Sequence, residues 1–116
     1  MTFSEDRKIT ADQFIDLLNR STLGERRPVG DRARIEAMLK HSNLLCTAWD
    51  GEILVGAARS LTDFAYCCYL SDLAVDQAYQ RQGIGVELIR RIALYALASS
   101  GVNLTLTSTC CPGAIS

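Results

Sequence analysis

The sequence predicts an α/β fold of the α+β kind, and three observations carry that prediction. Apolar residues recur at helical spacing in three stretches, with extended apolar runs between the second and the third. An Asp50-Gly51 pair joins two of the extended runs as a hairpin turn. A third extended run passes through a polar turn carrying two glycines into a long amphipathic helix.

The elements follow in order. A short strand precedes Thr10, which opens the first helix as an N-cap, with Phe14, Leu17 and Leu18 on one face. Residues 24–30, with Arg26, Arg27 and Pro28, read as a loop. Asp31 caps a second helix running to about Lys40, with Ile35, Met38 and Leu39 inward. Residues 44–49 and 52–59 are the hairpin strands, and 64–75 a third strand rich in aromatic and apolar residues. Residues 82–100 form the long helix, in which Ile84, Leu88, Ile92, Tyr95 and Ala96 recur at three- and four-residue steps. Gly101 ends it, and 102–109 alternates as a last strand. Residues 1–40 hold eight basic and seven acidic groups, against four and six in 41–116, so the second part supplies the central sheet.

Length and composition set bounds on function. The 116 residues suffice for one domain spanning 1–116 and not for two. Hydrophobic residues at 48% and charged residues at 22% exclude a disordered chain. Twelve basic residues face thirteen acidic ones, so no positive field exists to hold nucleic acid or an anionic membrane. The strongly apolar helical stretch 92–98 falls far short of the roughly 20 residues that span a bilayer. The first ten residues contain no apolar secretory segment, so a cytoplasmic location is expected. Cys46, Cys67, Cys68, Cys110 and Cys111 lack zinc or redox spacing and read as reduced thiols, with no metal site. Alternation buries one of Cys67 and Cys68.

The chemistry concentrates in residues 69–85, where a strand ends near Val75 and a turn leads into the long helix. Gly83 and Gly85 let backbone N–H groups approach a ligand closely. They stand at a helix N-terminus, whose orphan donors and positive dipole end favour phosphate, and Arg81 adds a cation. The competing reading is a turn whose glycines merely ease packing. A P-loop is excluded because Val86 and Glu87 follow Gly85, and a dinucleotide fingerprint because Leu88 stands where its third glycine belongs.

Gln80-Arg81-Gln82-Gly83-Ile84-Gly85 resembles the Gln/Arg-x-x-Gly-x-Gly/Ala signature of the GNAT superfamily of N-acetyltransferases. Leu73-Ala74-Val75-Asp76 is similar to the end of that family's fourth strand, and the element order agrees to the fifth strand. The resemblance implies a GNAT-like mixed, mostly antiparallel sheet flanked by helices, with the cofactor-binding core at about 64–109. It implies acetyl-coenzyme A as acyl donor, with the pantetheine arm along the backbone of Leu73, Ala74 and Val75. The pyrophosphate would lie on the amides of Gln80, Arg81, Gln82, Gly83, Ile84 and Gly85. It further implies a bulge in the fourth strand, splaying of strands four and five, and an amide near Leu73 that polarises the thioester carbonyl.

By the same resemblance, an acceptor amine attacks the thioester directly after losing its proton. Asp72 is the leading relay for that proton, against a structural carboxylate that accepts backbone N–H bonds at the bulge. Tyr69 lies nearer to where some members carry a glutamate, although a phenol of pKa about 10 is a poor base. Arg26 and Arg27 read as a solvated charge pair, or as ligands for an acidic acceptor. His41 reads as a surface group at a helix C-terminus, and Trp49 as packing.

The family continues past its fifth strand with a helix, commonly carrying a tyrosine general acid, and two more strands. Against that pattern the chain reads as C-terminally truncated, with an open strand edge that predicts a homodimer or oligomer. Three functions follow: an N-acetyltransferase acting on a small or protein amine, a non-catalytic truncated module holding coenzyme A or a partner, and a plain α/β scaffold.

Overall fold

The computed structural model describes residues 1–62, 67–97 and 103–105. Five strands, β1 (Thr2–Ser4), β2 (Leu44–Asp50), β3 (Ile53–Thr62), β4 (Cys67–Val75) and β5 (Asn103–Thr105), form one sheet in sequence order. The first four pair antiparallel, and β5 joins β4 in parallel. Helices α1 (Ala11–Arg20) and α2 (Arg32–His41) cover one face and α3 (Ile84–Leu97) the other. This is the mixed, mostly antiparallel arrangement expected. Residues 63–66, 98–102 and 106–116 lie outside the described residues, and with them the start of the third run at 64–66, the expected helix end at Gly101, the rest of the expected strand 102–109, and Cys110 and Cys111.

Local chemistry explains the boundaries. Thr10 and Gln13 form a reciprocal capping box, the Thr10 hydroxyl accepting from the Gln13 amide at 3.2 Å and the Thr10 amide donating to Gln13 Oε1 at 2.9 Å. Asp31 accepts from the Arg34 amide and starts α2. Gly51 takes φ +62° in the hairpin turn, where a glycine avoids the left-handed penalty.

The packing has one difference from the sequence reading. Ile84, Leu88, Ile92 and Ala96 line the buried stripe of α3 at four-residue steps, whereas Tyr95 is 48% exposed. A stripe along i, i+4 rows leaves the residue just before Ala96 pointing off its edge. Gly56 on β3 brings α3 close: a Cβ there would lie 3.1 Å from both Ile84 and Leu88. That approach seats the first turn of α3 beside the end of β4.

β4 carries a bulge. Arg59 pairs with Asp72 and the next residue, Ser60, pairs with Leu70, so Ser71 has no opposite number on β3. Before the bulge Cys68 and Leu70 face α3, and after it Leu73 does so. Ser71 and Asp72 therefore stand together on the α1–α2 face, where Arg59 reaches both.

Candidate active site

The end of β4 is held from several sides. The Asp76 amide donates to Val55 O at 2.8 Å, and the Asp76 carboxylate caps the following 3₁₀ turn by accepting from the Ala78 amide. Arg20 of α1 clamps that carboxylate and also donates to Leu54 O at 2.8 Å. The Tyr79 hydroxyl donates to Asp50 at 2.6 Å, a bond that raises the phenol above its ordinary pKa of 10.0. The Gln80 side-chain amide folds back onto Val75 O at 3.1 Å.

Beyond Gln80 the backbone adopts left-handed geometry twice, at Arg81 (φ 66°) and Gly83 (φ 80°). Alternation of this kind turns successive N–H groups into a concave anion-binding surface. The first helical bond here runs from the Glu87 amide to Gly83 O at 3.0 Å, so the amides of Ile84, Gly85 and Val86 stand at the open helix end. Nothing lies within 4 Å of a Cβ placed on Gly83, so the need for glycine there is conformational. A Cβ on Gly85 would instead project to 3.8 Å from Val75 and 3.9 Å from Leu73.

A cleft of about 460 Å³ opens between these elements, lined by Leu73, Val75, Arg81, Gly83, Ile84 and Gly85, with Gln80 at its edge. Thr22, Tyr79 and Val86 also line it. Sequence reasoning missed all three: Tyr79 and Val86 directly flank the predicted turn, whereas Thr22 reaches it only because the tertiary fold carries the α1–α2 connection there. Two predicted cofactor residues, expected to contribute their backbone, do not line the cleft with their side chains. The Ala74 side chain is buried under α1 on the opposite face, and Gln82 lines a separate hollow with Phe3 and Arg91.

Asp72 is fully buried. Its Oδ1 accepts from Arg27 Nε at 2.6 Å and its Oδ2 from Arg59 Nε. The carboxylate at the bulge is thus held by two guanidinium groups. Arg27 is not a solvated charge: its side chain is 7% exposed, and it also donates to Ser71 O at 3.1 Å. Arg26 is exposed. Arg59, a charge directly after the apolar run 53–58 of β3, was the available signal for this cluster. Tyr69 is half-buried in the first half of β4, opposite Leu61 and beside Thr105. His41 is exposed at the end of α2, and Trp49 is buried with its indole N–H on Thr47 at 2.8 Å. Among the described residues there is no group of three potential metal ligands, and no helix is long and apolar enough to cross a membrane.

The model of the acetyltransferase (GNAT) family matches residues 11–112, most of the chain and all of this cleft. The chain belongs to the GNAT acetyltransferase family. Among solved structures, this GNAT chain is similar to a GNAT-family acetyltransferase of Streptococcus pneumoniae TIGR4, at 26% identity and TM-score 0.72. The match covers 93% of this chain and 76% of that one. An aminoglycoside 6'-N-acetyltransferase complexed with coenzyme A shares the fold at 24% identity and TM-score 0.71, with 90% and 61% covered. The aminoglycoside 6'-N-acetyltransferase of Enterococcus faecium does so at 22% and 0.68, with 90% and 60% covered. Comparison with curated proteins gives no match.

Proposed function

We propose that this GNAT-family protein is an acetyl-coenzyme A-dependent N-acetyltransferase that acetylates a primary amine by direct attack on the thioester. The observation that carries this reading is the cleft where the left-handed pair Arg81 and Gly83 opens α3 against the end of β4. The site suits coenzyme A. Its helix-end amides and the Arg81 guanidinium match a pyrophosphate, and its apolar wall of Leu73 and Val75 matches a pantetheine arm. Bound acetyl-coenzyme A supplies an activated acetyl group.

The chain's own residues then divide the work. The amides of 83–86 and Arg81 hold the anionic end of the donor. The backbone of Leu73 to Val75 aligns its arm, and an amide just past the bulge faces the carbonyl oxygen, a contribution of about 3 kcal/mol for one well-aimed donor. The acceptor ammonium loses its proton to water, because Asp72 is enclosed by Arg27 and Arg59 and has no open side. Acceptor choice is left to residues beyond the cleft.

Calorimetric titration with coenzyme A and a thiol-release assay over small amines, an aminoglycoside and a lysine peptide test the reading. Saturable binding with thiol release on at least one amine is expected. Binding without release would favour a non-catalytic coenzyme A module, and absence of binding would overturn both.

A further inference from the structure

The buried cluster at the bulge holds two guanidinium groups against one carboxylate. Arg59 and Asp72 alone already form a neutral pair across adjacent strands. Arg59 is also fixed by the end of α2 and by the bulge, donating to Met38 O at 3.3 Å, Ser42 Oγ at 3.4 Å and Ser71 Oγ at 2.9 Å. Among the described residues Arg27 therefore brings a surplus buried charge, which by itself is a cost to stability. Its distinctive contact is with the backbone: Nη2 donates to the carbonyl of Ser71, the residue left without a partner in the β3–β4 ladder. Its Nη1 donates to Arg26 O at 2.9 Å, which stiffens the loop that delivers it. One rigid fork thus joins the α1–α2 connection to the bulge, at the peptide preceding Asp72 and Leu73.

We propose that Arg27 is a positioning residue for acetyl transfer: through Asp72 and the Ser71 carbonyl it fixes the bulge and so aims the Leu73–Val75 edge into the cleft. This rests on the acetyltransferase reading above. Arg27 touches neither the cleft nor the glycine turn, so its contribution is to alignment and not to donor affinity. Misplacing a reacting group by about 1 Å costs on the order of 100-fold in rate.

The test uses Arg27→Met, which leaves the neutral Arg59–Asp72 pair, and Arg27→Lys, which keeps the charge and loses the fork. For both, coenzyme A affinity is expected within about threefold of the original, since the helix-end donors are untouched, while kcat falls on the order of 100-fold. The pH–rate profile of Arg27→Lys should keep its shape. An unchanged kcat, or a loss confined to coenzyme A affinity, overturns the proposal. Amide hydrogen exchange reads the same inference without catalysis. The amides of residues 71–73 should exchange at least about tenfold faster in Arg27→Lys, as local opening allows. Unchanged exchange there overturns the proposal even if no amine is acetylated, whereas accelerated exchange in a protein without transfer supports the hold of Arg27 on the bulge and refutes the acetyltransferase reading together with the role in transfer that rests on it.

Discussion

Under α3, Leu88, Ile92 and Ala96 meet apolar side chains of β3 and β4, and shape complementarity sets the contact. Under α1 and α2 the same sheet is covered differently. Ten-residue α1 buries Ala11, Phe14, Leu17 and Leu18, while α2, of the same length, fully buries only Ile35. The deficit beneath α2 is made up by Arg59, which ties β3 to the end of that helix, and by Arg27 and Asp72 beside it. An apolar face tolerates loss of volume in proportion to the cavity left. An ionic one fails abruptly when a single partner is removed, because the remaining charges are stranded in a dry site.

The sharpest way to break this comparison is Asp72→Asn, which strands two buried guanidinium groups. It should cost about 4 kcal/mol, seen as a lowered urea midpoint with unchanged slope. Replacing Asp72, Arg27 and Arg59 together by apolar residues should restore most of that loss. If the triple variant is no better than Asp72→Asn, the cost does not come from stranded charge. On the other face, Leu88→Ala should cost about 3 kcal/mol from the cavity it opens, with coenzyme A affinity nearly retained. Gly83→Ala touches neither face. The left-handed backbone should cost it about 1–2 kcal/mol, and coenzyme A titration should show weakened binding.

Cys46 sharpens the contrast by pH. Burial in the apolar face pushes its thiol from 9.0 up to about 12. The folded state thus keeps the neutral thiol while the unfolded chain ionises, so stability is intact below pH 9 and is lost as pH rises toward 12. At pH 10 the loss is about 1 kcal/mol, and Cys46→Ala should flatten the decline over that window in denaturant titrations. The smallest effect belongs to the surface. The exposed Arg32–Glu36 pair, 3.5 Å apart, predicts a change of less than about 0.5 kcal/mol for Glu36→Gln by thermal melting.

What could be read in the sequence was what local chemistry decides. The Thr10 cap, the Asp50-Gly51 hairpin, the α3 stripe and the glycine turn all depend on residues within a few positions of each other. The bulge needed the family resemblance, since its register is a property of β3 and β4 together. The partners of Asp72 were hidden because Arg27 is 45 residues away and reaches it only after α1 has packed. The same holds for Thr22 at the cleft, and for Ala74, whose side chain the pleat turns away from the cleft its backbone borders. Charges in Arg59 and Asp72, each next to an apolar residue of its strand, were visible, and their meeting is a tertiary fact.

The bulge at Ser71 also bears on folding fidelity. Sliding β4 by one residue along β3 would send every side chain to the opposite face. In that mispaired sheet the Asp72 carboxylate would be driven in among Leu88 and Ile92, and both arginines would lose their counter-ion. The cluster that aligns the site therefore also rejects the neighbouring register, and a chain that collapses out of register pays an electrostatic penalty until it shifts back.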